Sequence, residues 1–98
     1  MNYFVVTYTY SADLDLVMAT RPAHREFISG LMDEGTVIAA GPFSDCDNQS
    51  MILFRLPDGS SAPDVDAALE GDPYRHAEAL ESWSIRPWNA VLNTFERD

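Results

Sequence analysis

Between Tyr3 and Tyr10 the chain reads YFVVTYTY and then meets the polar stretch Ser11-Ala12-Asp13. That density of β-branched and aromatic residues predicts a first strand. From Arg21 to Glu34 the period changes: Phe27, Ile28, Leu31 and Met32 recur at helical intervals, Thr20 stands where a cap belongs, and Gly35 ends the run. Two short branched runs follow, Thr36 to Gly41 (TVIAAG), bounded by Gly41-Pro42, and Met51 to Leu56 (MILFRL), after the polar loop Ser44 to Ser50. They predict the second and third strands. Pro57-Asp58-Gly59 is a turn signal, beyond which Ser61 can cap a second helix with apolar positions Val65, Ala68 and Leu69 and a close at Gly71. Asp72-Pro73 restarts a helical turn or two through Leu80. Trp83, Ile85 and Pro87 then alternate with Ser82, Ser84 and Arg86 as a fourth strand, and the tail from Asn89 to Phe95 is expected to add a further one.

Strand, helix, strand, strand, helix, strand is the split βαβ order, so the expected class is α+β with a ferredoxin-like antiparallel sheet, built as a single domain over residues 1–98. Helices on one face leave the other bare. Yet the first strand is apolar on both sides, with Phe4, Val6 and Tyr8 opposite Tyr3 and Val5, and the third sets Ile52, Phe54 and Leu56 against Met51 and Leu53. Exposed apolar patches beyond a few hundred Å² are rare on monomers, so a homodimer pairing the two uncovered faces is expected.

Charge narrows the partners. Six basic residues, all Arg, face sixteen acidic ones, for a net charge of −10. Such a chain is a poor phosphate-backbone ligand, and no nucleic-acid partner is expected. No apolar run approaches the roughly 20 residues of a membrane span, and Met1-Asn2-Tyr3 lacks the basic start of a secretion signal, so neither membrane association nor export is expected. One cysteine, Cys46, cannot make an internal disulfide, and the cytoplasm is the expected compartment.

The candidate chemistry starts at His24, three and four residues before Phe27 and Ile28 and hence on the inward stripe. A helix starting at Arg21 would put it in the first turn, where the positive end of the dipole favours the neutral imidazole suited to a general base. A core histidine bonded to a backbone carbonyl fits the spacing equally well. Asp72 before Pro73 reads first as an N-cap, and donors at a helix start also suit a carboxylate that orients an imidazole. Arg21, Arg25 and Arg75 all lie within three residues of His24 or Asp72. They suggest either a local positive pocket for an anionic or phenolic small molecule or ordinary surface partners for acids such as Glu26 and Glu78. Flanking acids make Cys46 a poor nucleophile. The run Asp45 to Gln49 lacks the glycine and closing Glu of a calcium loop, with Ser50 and Leu56 at those places, and His24 with His76 makes no metal-ligand pattern, so no metal or cofactor is expected. Trp83 and Trp88 read as core or interface aromatics. Ser50 fits either a pocket hydroxyl or a strand-edge residue.

Four strings in order, Arg21-Pro22-Ala23-His24, Ala40-Gly41-Pro42, Asp72-Pro73-Tyr74 and Arg86-Pro87-Trp88, resemble the YciI family across almost the whole chain. The resemblance implies a dimeric α+β barrel, with His24 and Asp72 matching the family's proposed catalytic pair in a cleft beside the dimer interface and Ser50 matching a polar pocket position. Members of the family are read as lyases or dehydrochlorinases of chlorinated aromatics, and the wider superfamily includes isomerases and small monooxygenases. This sequence departs from the pattern in its short loop after Pro42 and in Gln49, where many relatives have Gly, so substrate identity does not carry over. The leading expectation is a cofactor-independent lyase-like or isomerase-like enzyme using the His24–Asp72 pair, with Arg21, Ser50 and Arg75 contacting substrate. The alternative is a non-catalytic ligand-binding or accessory module of the same fold.

Overall fold

The computed structural model describes residues 1–96. In chain order its elements are β1 (Asn2–Tyr10), α1 (Leu14–Asp33), β2 (Val37–Pro42), β3 (Gln49–Leu56), α2 (Ala62–Leu69), the single turn α3 (Pro73–His76) and β4 (Leu80–Trp88). The strands form one sheet in the order β2-β3-β1-β4, every neighbouring pair antiparallel. This is the ferredoxin-like α+β arrangement, with α3 inserted between α2 and β4.

Strand alternation puts Phe4, Val6, Tyr8 and Tyr10 of β1 under the helices, with Phe4 opposite Phe54, Val6 opposite Ile52 and Tyr8 opposite Ser50 on β3. Val17 and Ile28 of α1, Val65 and Leu69 of α2 and Tyr74 of α3 close this core from above. Each large apolar side chain so buried contributes roughly 1.5–3 kcal/mol relative to exposure. On the other face β1 sets Val5 beside Leu53, and Thr7 beside Met51 and Ser84. The chain after β4 crosses one end of that face, where Phe95 packs on Tyr3 at 5.8 Å between ring centres.

Three sequence expectations are corrected. The first helix begins at Leu14, not near Arg21, because Asp13 caps it by accepting the Leu16 N–H at 3.1 Å. Thr20 is no cap; its hydroxyl donates to the Leu16 carbonyl at 2.8 Å, the i−4 bond of a residue inside a helix. Pro22 therefore lies within α1, where its missing N–H leaves the Met18 carbonyl without its helical partner on the exposed side of the helix. The second correction concerns α3, which stops at His76 instead of running to Leu80. Glu78 turns into the left-handed region at φ 57°, and the Ala79 N–H folds back to the Tyr74 carbonyl at 2.9 Å. Third, Asn89 to Phe95 is not a strand. Asn93 accepts the N–H groups of Phe95 and Glu96 on its side-chain oxygen and donates to the Ala90 carbonyl, which holds the segment in turns instead of a ladder.

Candidate active site

Asp72 caps α3, accepting the Tyr74 N–H on Oδ1 at 3.0 Å, with Pro73 at the first helical position. The residue before it, Gly71, lies against α1. A Cβ there would stand 3.1 Å from the Phe27 ring, so the absence of a side chain lets the α2–α3 turn approach α1 closely. That approach carries Asp72 to His24, one turn before Phe27. The Nδ1 atom of His24 lies 2.9 Å from each carboxylate oxygen of Asp72. From below, the Tyr8 hydroxyl donates to Oδ2 at 2.9 Å. Asp72 is fully sealed at 0% exposure, whereas His24 retains 9%.

These contacts fix the tautomer. Burial first, and then the Asp72 charge, push the Tyr8 phenol far above its usual value, with the Arg75 guanidinium opposing them. Tyr8 therefore keeps its proton and acts as the donor. With Tyr8 and the Tyr74 N–H both donating, the carboxylate accepts a third proton from Nδ1 of His24, so that in the neutral ring the lone pair lies on Nε2. The imidazole stacks on Tyr74, 4.0 Å between centres at 18°. Arg21 Nε donates to the Tyr74 hydroxyl at 3.2 Å, and this bond is the main cause raising the Arg21 pKa. The Tyr74 phenol is raised chiefly by burial, which Arg21 partly offsets.

His24 forms part of the wall of a cleft of about 310 Å³ between α1, β2 and β3. Arg21 and Ser50 line the same cleft, and the Ser50 hydroxyl is buried with no hydrogen-bond partner among the described residues. Arg75 does not line it. Its Nη1 pairs with Asp66 at 2.9 Å and its guanidinium lies 4.2 Å over the Trp83 ring, on the side of Asp72 away from the cleft. His24 does not sit in the first turn of its helix: α1 begins ten residues upstream, and the field of a helix end fades within a turn. Sequence reasoning missed two contributors: Tyr8 looked like one more inward strand residue, and Tyr74 was only part of a motif. Arg25, named with Arg21 and Arg75 in the suggested positive pocket, does line the cleft. Among the described residues no group of three or more His, Cys, Asp or Glu is placed to hold a metal ion, and no helix is long and apolar enough to cross a membrane.

Tyr8 gives the fold a pH dependence. The unfolded chain releases this proton near pH 10, whereas the folded chain holds it to higher pH, so stability is complete below about pH 10 and falls above it. One such group contributes a slope of at most about 1.4 kcal/mol per pH unit. Urea midpoints measured across that alkaline range are expected to decline less steeply for Tyr8→Phe than for the unchanged protein. Parallel declines would remove Tyr8 from this role.

Residues 1–89 match the family model described as the YCII-related domain. The chain belongs to that family. Among solved structures, this YCII-related domain is similar to 5-chloro-2-hydroxyhydroquinone dehydrochlorinase (TftG) from Burkholderia phenoliruptrix AC1100 in complex with 2,5-dihydroxybenzoquinone. The TM-score is 0.72 at 17% identity, over 89% of this chain and 93% of that one. It is also similar to an antibiotic biosynthesis monooxygenase, with a TM-score of 0.64 at 11% identity, over 94% of this chain and 100% of that one. Among curated proteins none matches. At these identities the structural likenesses speak to the fold.

Proposed function

We propose that this YCII-related domain is a cofactor-independent enzyme acting on a small anionic or phenolic molecule, in which Nε2 of His24 moves a proton during an elimination or isomerisation. The contact that carries this reading is the one between Nδ1 of His24 and the sealed Asp72 carboxylate, 2.9 Å long, because it leaves the basic nitrogen at the cleft wall. Asp72 orients the ring and stabilises the imidazolium formed when the proton arrives. Arg21 and the unpartnered Ser50 hydroxyl are the groups that would meet an oxyanion or a ring hydroxyl of the substrate.

The relative named as a dehydrochlorinase and solved with a dihydroxybenzoquinone supports elimination of HCl from a hydroxylated ring. In that reaction the base takes a proton while chloride leaves with the electron pair of the C–Cl bond. The balance requires no external oxidant or reductant.

A homodimer completes the reading. On the helix-free sheet face Leu53 is already buried within the single chain, but Val5 and Met51 stay partly exposed and Trp88, beside Tyr3, is 42% exposed, and a second copy would cover them. Scattering at micromolar concentration is expected to return a particle of about twice the 10.9 kDa chain mass; a particle of the chain mass would remove the dimer. The dyad is tested without any substrate by the ¹⁵N shifts of the His24 ring at neutral pH. The expected signature is Nδ1 protonated and Nε2 bare. A ring protonated only on Nε2 would remove the proposed base.

A further inference from the structure

Behind the dyad, away from the cleft, a charged side chain sits where proton transfer makes no direct use of it. Arg75 follows Tyr74 on α3, and its side chain is only 11% exposed. Nη1 is paired with Asp66, but Nε and Nη2 are buried with no hydrogen-bond partner among the described residues. A guanidinium sealed in this way is costly, because each buried N–H left without a partner forgoes the hydrogen bonds it had in water.

The surroundings point this cation at the dyad. Trp83 of β4 and Tyr8 of β1 are register partners on the same face of the sheet, and Arg75 lies flat over the Trp83 ring at 4.2 Å. The guanidinium is thereby held beside Tyr8, whose hydroxyl donates to Asp72, which in turn meets His24.

We propose that Arg75 is a positioning residue of the dyad, a fixed, largely buried cation beside Tyr8 whose charge favours the ionised Asp72 carboxylate as the acceptor for His24 and opposes charging of the imidazole. The proposal rests on the dyad reading above and adds a member that never touches substrate. The charged and titratable groups facing the pair are Tyr8 and Tyr10 from β1, Arg21 and Arg25 from α1, Asp66 from α2, and Tyr74 and Arg75 from α3. Of these, Arg75 and Asp66 do not line the cleft and can be altered without touching it.

The test is the pH titration of the His24 ring followed by NMR, which needs no turnover and so can fail independently of the proposed activity. Losing the cation in Arg75→Met removes a charge that disfavours the imidazolium. The His24 midpoint is expected to move upward by roughly half a unit or more, the scale of one charge acting over several ångströms at an intermediate dielectric. Arg75→Lys, which keeps the charge, should return most of that shift. Asp66→Asn frees the cation of its counter-ion and should move the midpoint the opposite way by a smaller amount, because Asp66 is half exposed and screened. An Arg75 whose charge is screened from the dyad predicts no shift in either variant. Coincident midpoints in Arg75→Met and the unchanged protein, or shifts of the same sign in Arg75→Met and Asp66→Asn, overturn the proposal. Should Arg75→Met fail to fold, an unmoved midpoint in Asp66→Asn, whose arginine remains intact, overturns it as well.

Discussion

Turnover by His24→Ala is expected to fall about 10²–10⁴-fold, the range supplied by a positioned acid–base group, while the protein remains folded. The geometry makes the two halves of that expectation separable. The ring stands at the wall of an open cleft, so its removal widens the cleft instead of leaving an enclosed void. Asp72 loses one donor but keeps the Tyr8 hydroxyl and the Tyr74 N–H, so no charge is stranded. The loss of folding stability is then about 1–3 kcal/mol, the scale of one buried hydrogen bond together with the stacking on Tyr74. A thermal melt together with turnover on whichever substrate the unchanged protein consumes distinguishes lost chemistry from lost fold. His24→Gln retains an N–H donor and much of the volume but no titrating nitrogen, and it should lose as much turnover as His24→Ala. Added imidazole, which fits the space the ring leaves, should restore part of the activity to His24→Ala and none to the unchanged protein. Undiminished turnover in both variants would assign the ring to the architecture alone.

The strand pattern was legible because alternation is a local signal and each strand is short. Phe4, Val6 and Tyr8 announced the buried side of β1, and the register with Phe54, Ile52 and Ser50 follows from the same period. The start of α1 was not legible for a physical reason. Pro22 is favoured at the first helical position, and beside Thr20 it mimics a helix start, whereas the operating cap, Asp13, sits in a stretch that also reads as a turn. The stripe of Val17, His24 and Ile28 would have shown the longer helix. The site was half legible. His24 and Asp72 each carried a local signature, but their contact depends on Gly71 lying under Phe27, a tertiary approach with no periodic trace. Tyr8 was invisible as a functional group because a tyrosine on the inward face of a strand satisfies the hydrophobic pattern whether or not its hydroxyl meets a carboxylate. Arg75 was legible as a nearby cation but not as to side, since one turn of α3 decides whether it faces the cleft or the interior.

Substitutions at Asp72 carry the second large effect, and two of them separate its roles. An N-cap that did nothing else would cost about 1 kcal/mol on conversion to alanine and almost nothing on conversion to asparagine, which caps as well as aspartate. Asp72 does more, because it is fully buried and also receives the Tyr8 hydroxyl and the His24 ring. Asp72→Ala orphans those donors together with the Tyr74 N–H, and the expected loss is about 2–5 kcal/mol, read from urea or thermal unfolding. Asp72→Asn keeps the cap and most of the stability but replaces one carboxylate oxygen with an amide that donates. With the amide facing Nδ1, the histidine must accept there and carry its proton on Nε2, so the lone pair at the cleft disappears. Turnover in Asp72→Asn is therefore expected to fall nearly as far as in His24→Ala, with the exchanged tautomer visible in the ring ¹⁵N shifts. The two losses should not add in the double variant, because both remove the same base. An Asp72→Asn protein that melts, titrates and turns over like the unchanged one would reduce this carboxylate to the cap of a single helical turn.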